Sequence, residues 1–132
     1  MIKFPVQFLK FGIIGTLGFI VDSAVLYFCM YILSMGPYAG RVVSFLIAVT
    51  VTWVCNRCYT FKDRKKTDSL HVEWSKFFIA CLGGFIFNYG SYALLITHSS
   101  IVALYPIIGV AVGSLTGMFF NYFAAKRFVF RE

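Results

Sequence analysis

The sequence predicts an all-α integral membrane protein of four transmembrane helices, and three observations carry that reading. Of the 132 residues, 60% are hydrophobic, 20% aromatic and only 13% charged, with a mean hydropathy of +0.82. Soluble domains run at about 45–50% apolar and about 25% charged residues, and a chain this short cannot bury such an excess in one water-soluble core. The apolar residues come in long unbroken stretches, as spanning helices require, and not in the alternating segments of about ten residues that build an outer-membrane barrel. Finally, all but one of the 12 Lys and Arg fall on one side of the implied membrane.

The spans are expected at Phe8–Leu33, Tyr38–Cys55, Phe77–Ile96 and Leu104–Ala125. Each is long enough to cross a hydrocarbon core of about 30 Å at about 1.5 Å per residue. Pro5, Pro37 and Pro106 fall at or outside helix starts, where a missing N–H does no harm. The first span exceeds the ~7–15-residue apolar core of a secretory signal and is followed by no small-x-small cleavage site. It is therefore read as a retained helix.

Charge sets the orientation. Lys3 precedes span one and Lys10 lies in its first few residues. Arg57, Lys62, Arg64, Lys65, Lys66 and Lys76 lie between spans two and three, and Lys126, Arg127 and Arg131 close the chain. By the positive-inside rule both termini and the basic loop at 62–73 are cytoplasmic. The net charge of +7 then reports orientation and carries no argument for nucleic acid. Asp63, Asp68 and Glu73, set in this basic stretch, read as solvated. Cys29, Cys55, Cys58 and Cys81 read as structural, because Cys55-x-x-Cys58 has no second ligand pair near it.

The chain repeats itself, with one unit over about 8–61 and another over about 74–130. Phe8-Leu-Lys10-Phe11 resembles Trp74-Ser-Lys76-Phe77, and the same offset sets Gly18 on Gly84 and Asp22 on Asn88. In the second helix of each half, Gly40, Ser44, Ala48, Thr52 and Asn56 fall on Gly109, Gly113, Gly117, Asn121 and Ala125. Chance likeness between apolar segments would match Leu and Ile, not Gly and polar residues. Two spans return the chain to its starting side, so the halves are expected to be parallel, related by a pseudo-two-fold axis along the membrane normal. The four-residue spacing of small residues predicts close packing seams.

Candidate functional residues are the polar ones at depth. Asp22 lies near the middle of span one, where a carboxylate costs roughly 2.5–3.5 kcal/mol on insertion scales and so faces protein or water. Asn88, Asn121, Asn56 and Thr52 extend the polar set. Arg41, the one cation outside the cytoplasmic group, has two readings: an ion pair with Asp22, about 7 Å deeper, or a phosphate contact at the outer face. Arg57, Lys126 and Arg127, with Lys10 and Lys76 near by, read either as interfacial anchors or as a phosphate site. No P-loop, H-E-x-x-H or G-x-S-x-G is present, so an enzyme is not expected, and neither a metal nor a cofactor is implied.

Phe8-x-x-Phe11-Gly12-x-x-Gly15, Asp22, Asn56-Arg57-x-Tyr59-Thr60-Phe61 and Asn121…Lys126-Arg127-x-Val129-Phe130 together resemble the GtrA-like family of small bacterial membrane proteins. The resemblance covers nearly the whole chain, and Arg41 departs from it. It implies a flippase for a polyprenyl-phosphate-linked monosaccharide, such as undecaprenyl-phosphate hexose, in the bacterial inner membrane. The sugar would then decorate O-antigen, lipopolysaccharide or another surface polymer. On that reading the phosphate docks at Arg57, Lys126 and Arg127 and the sugar enters a polar cleft lined by Asp22 and Asn88. The tail stays in lipid. A homodimer and glycosyltransferase partners are expected. Two rivals stand: an accessory subunit that anchors a glycosyltransferase, and a small multidrug-type cation exporter.

Overall fold

The structure, a computed structural model, describes residues 3–63 and 68–130. The basic-loop residues Arg64, Lys65 and Lys66, and Arg131 at the end, lie outside the described residues. The described chain is all helical, and four of its helices are long and apolar enough to cross a membrane. This is a multi-pass membrane protein.

The chain divides into two compact units, Met1–Lys65 and Lys66–Glu132. In the first, α1 (Lys3–Tyr31) packs along α2 (Pro37–Cys55), which runs on into a π-helical turn at Asn56–Thr60. In the second, α3 (Leu70–His98) packs along α5 (Pro106–Ala124), which runs into a π-helical turn at Ala125–Val129. Between α3 and α5 lies a short helix, α4 (Ser100–Leu104).

Local chemistry explains the boundaries. Pro37 and Pro106 open α2 and α5 at positions where no intrahelical N–H bond is due. Pro5 sits in the first turn of α1 for the same reason. Between α1 and α2 the chain reverses through Ser34, held at φ 56, with the Met35 N–H donating to Cys29 O at 2.9 Å. The fourth apolar run, expected from Leu104, is interrupted: Leu104 ends α4, Tyr105 takes φ −126 and ψ 76, and α5 starts at Pro106. The residue before a proline is pushed out of the helical region, so the break falls there. Ser99 caps α4 by accepting from the Val102 N–H at 3.4 Å.

Each helix pair is closed by small residues. In the first unit Ser44 and Asn56 are fully buried and Gly40 lies against Leu26 and Cys29, so the stripe Gly40–Asn56 is the seam with α1. Gly18 of α1 faces the methyl of Thr52. In the second unit Gly84 of α3 faces the Asn121 amide, and a side chain at Gly117 would meet Gly84 O at 2.8 Å. Such close backbone approach is how helices gain packing contact where lipid supplies no hydrophobic drive.

The π turns have a packing consequence. The Phe61 N–H bonds to Asn56 O at 2.9 Å and the Phe130 N–H to Ala125 O at 2.8 Å, five residues back in both cases. The widened turn rotates these phenylalanines inward, and both are fully buried. Phe61 meets Phe11 at 6.4 Å between centroids, and Phe130 meets Phe77 at 6.1 Å. The aromatic residues at these two ends thus divide: Tyr59 and Phe128 are exposed, whereas Phe61 and Phe130 lock the base of each helix pair. Glu73 is likewise not solvated. It is buried in the first turn of α3, where the helix N-terminus favours a carboxylate.

Candidate functional site

In the first unit, α1 and α2 bring Asp22 and Arg41 together. The Arg41 guanidinium Nη1 donates to Asp22 Oδ2, so the ion-pair reading of Arg41 holds. The carboxylate is only 15% exposed, whereas the Arg41 side chain is 55% exposed. A guanidinium carries five N–H donors, and one contact leaves most of them for something else. Asp22 Oδ1 is buried and has no hydrogen-bond partner among the described residues. The carboxylate is therefore half-satisfied: charge-compensated on one oxygen and buried without a donor among the described residues on the other.

The remaining polar residues of this unit are engaged internally. Thr52 Oγ1 donates to Val49 O at 3.0 Å. Asn56 Oδ1 accepts from Thr60 Oγ1 at 2.8 Å. The buried Gln7 amide donates to Thr60 O at 3.5 Å, so this cluster ties the π turn back to α1. Arg57 is half-buried on the same turn, and Lys10 is exposed on α1.

Two concave sites in the second unit are lined by described residues. The larger, about 850 Å³, lies between α3 and the α5 end. Its walls are apolar, with Ile79 and Gly83 on one side and Phe119, Phe120 and Phe123 on the other. Lys76 and Arg127 stand at its basic end. Lys76 Nζ also pairs with Asp68 at 2.7 Å, whereas Arg127 is exposed. Lys126, its neighbour, is not part of this wall and instead holds its ammonium over the buried Tyr122 ring at 5.7 Å. Consecutive residues on a helical turn point in different directions, which separates the two cations.

The smaller site, about 200 Å³, is lined by Phe85, Asn88, Tyr89, Tyr92 and Ser114. Asn88 fits because Gly113 leaves room: a side chain there would come within 2.7 Å of Asn88 Oδ1. Asn121 lies on the same α3–α5 seam against Gly84, and its Oδ1 is buried without a hydrogen-bond partner among the described residues. Sequence reading found Asn88 and Asn121 from their depth in apolar spans. It missed the aromatic lining of this pocket, since Tyr89 and Tyr92 read only as bulk in an apolar run.

Two long apolar helix pairs with basic ends and intramembrane polar groups set the frame for comparison with known proteins. Residues 10–131 match the family described as GtrA/DPMS, transmembrane domain. The chain belongs to this family. No curated protein matches the sequence. GtrA/DPMS membership identifies a membrane domain of a sugar-related translocase family whose members are in general non-catalytic.

Proposed function

We propose that this GtrA/DPMS protein carries a polyprenyl-phosphate-linked monosaccharide, such as undecaprenyl-phosphate hexose, from the cytoplasmic to the periplasmic leaflet. The observation that carries the reading is a buried acceptor oxygen in each unit, Asp22 Oδ1 and Asn121 Oδ1, neither with a hydrogen-bond donor among the described residues. Leaving such a group unsatisfied costs about 1–3 kcal/mol, and native proteins keep few of them. Sugar hydroxyls are the donors these oxygens lack. Both are closed off in this conformation, so they serve a state in which the α1–α2 and α3–α5 seams have opened to substrate.

The charges supply a direction. With both termini cytoplasmic, the cations at the ends of α2 and α5 meet the phosphate at loading. Arg41, alone near the opposite end, keeps spare donors for the phosphate at release. Asp22 is held as a fixed counter-charge by Arg41, so a gradient of the lipid-linked sugar suffices as driver. A homodimer would supply the further surface that so small a protein needs around a head group, and glycosyltransferases would consume the delivered sugar for O-antigen, lipopolysaccharide or a similar polymer.

The test is reconstitution in proteoliposomes with a polyprenyl-phosphate hexose, a membrane-impermeant probe scoring leaflet exposure with time. The parent should expose the lipid faster than empty vesicles, and Asp22→Asn and Arg57→Ala should slow it. Exposure no faster than in empty vesicles, with folded protein, would refute transport and favour a subunit that anchors a glycosyltransferase.

A further inference from the structure

We propose that the groove of the second unit is a built seat for the head-proximal part of the lipid carrier, with the isoprenoid chain against Gly83 and Phe123 and the phosphate against Arg127. This rests on the transport reading above and changes one part of it: the tail does not simply stay in bulk lipid.

Three observations support the occupant. The first is charge. The walls are apolar except at one end, where Lys76 and Arg127 stand. Asp68 offsets Lys76, so Arg127 supplies the net positive charge, and among the described residues it makes no ion pair. An apolar trough with a cation at one end complements an amphiphile with a single anionic head. The second is length. Lys76 to Gly83 spans about 11 Å of helix at 1.5 Å per residue, and one leaflet of a ~30 Å core is about 15 Å deep. The groove therefore serves a chain entering from the basic side and lets its remainder run free. The third is lining. The rings of Phe119, Phe120 and Phe123 form one wall of the groove, an aromatic surface suited to the closely spaced double bonds of an isoprenoid chain.

Two residues of this groove are not repeated in the first unit. Gly83 lets the Phe120 ring pack directly onto α3, and that ring is itself stacked on Phe87 at 4.6 Å. At the positions related by the sequence repeat, the first unit carries Leu17 in place of Gly83 and Cys58 in place of Arg127. The repeat therefore keeps neither the glycine nor the guanidinium in the first unit. A repeat that served only packing would have no reason to differ at both the floor and the mouth of one groove.

The experiment uses the full chain in phosphatidylcholine nanodiscs and an undecaprenyl phosphate analogue with a diazirine in its first isoprene units. Photolysis should label peptides containing Ile79, Gly83, Phe119 and Phe123. Arg127→Gln, a surface change that spares the fold, should weaken binding about tenfold, the worth of one charge-assisted hydrogen bond. Gly83→Leu should abolish labelling. Should that variant lose helical circular dichroism, Ala124→Leu blocks the same groove from its rim. Excess phosphatidylglycerol should not compete. Label spread evenly over all four long helices, equal competition by phosphatidylglycerol, or unchanged binding in Arg127→Gln would each overturn the proposal. Leaflet transfer measured on the same variants separates the two readings. Parental transfer rates in Arg127→Gln and Ala124→Leu would sink the groove and leave transport standing. Groove labelling by a parent protein that transfers nothing would keep the groove and sink transport.

Discussion

The Asp22–Arg41 pair is asymmetric, and the asymmetry can be measured. Removing Arg41 strands a carboxylate that is 15% exposed inside an apolar span. Insertion scales put an unpaired carboxylate at mid-membrane at about 2.5–3.5 kcal/mol. The Arg41 side chain is 55% exposed and sits within reach of the interface near the start of α2, so interfacial water screens part of the pair, and the expected loss for Arg41→Ala falls to about 2 kcal/mol. Removing the carboxylate instead leaves a cation about 6 Å from the start of α2, close enough to snorkel to the interface, so Asp22→Asn should cost under about 1 kcal/mol. The double variant carries neither charge and should cost no more than about 1 kcal/mol, giving a coupling energy of about 1–2 kcal/mol. Equilibrium unfolding in mixed micelles of rising dodecyl sulfate fraction, followed by circular dichroism, reads all three. Equal losses in the two single variants, or a double variant that simply adds them, would refute the pair as drawn. The outcome also governs how transport data are read, because a stable Asp22→Asn protein that fails to transport has lost chemistry and not structure.

Three further outcomes are expected. Gly84→Ala places a methyl onto the Asn121 amide and should destabilise by about 1–3 kcal/mol, whereas Gly15→Ala meets nothing within 4 Å and should be neutral or better; thermal unfolding in detergent compares them. Phe130→Ala empties a fully buried site against Phe77 and should cost about 3–5 kcal/mol, with Phe61→Ala costing a similar amount in the other unit, read by the same melts. Ser34→Gly relieves a left-handed backbone at φ 56, and after glycine's own entropy the net gain should be about 0.5 kcal/mol, seen as a small rise in melting temperature.

The spans were legible because hydropathy and helix length are both linear in sequence, and α2 and α5 begin where their prolines say they should. The Asp22–Arg41 pair was half legible: helix rise set the two residues within reach, but only the packing of α1 on α2 shows that they meet. The π turns left no such trace. Their five-residue bond spacing differs from an α-helix by one residue and involves only backbone atoms, so Asn56-Arg57-Cys58-Tyr59-Thr60 reads as a helix end. The available signal was Phe61, which an uninterrupted α-helix would not rotate onto Phe11. Glu73 reads as solvated from its basic neighbours alone, and only the start of α3 at Leu70 puts it in a buried first turn. The break at Tyr105 was hidden by apolar residues on both sides, although Pro106 marked it. The two pockets required tertiary structure, since Gly83 and Phe123 lie far apart in sequence and acquire a shared meaning only across the α3–α5 seam.

The spacing of the two pockets in the second unit restricts how a substrate uses them. Lys76 and Asn88 both lie on α3, about 18 Å apart along its axis at 1.5 Å per residue. In a polyprenyl-phosphate sugar a single glycosyl phosphate linkage joins ring to phosphorus, a reach of a few ångströms. A phosphate held by Arg127 at the groove mouth therefore cannot present its sugar to Asn88 and Ser114 at the same time. If the proposed lipid-linked sugar uses both pockets, this spacing makes them successive stations, the groove engaging the lipid first and the aromatic pocket meeting the sugar after the head group has moved inward. Simultaneous use would make changes at either pocket weaken the same binding step. Successive use separates them: Arg127→Gln should raise the lipid concentration needed for half-maximal transfer, while Asn88→Ala should lower the maximal rate and leave that concentration nearly unchanged. Transfer rates over a range of lipid-linked sugar densities distinguish the two, and a common shift in half-saturation for both variants would refute the two-station order.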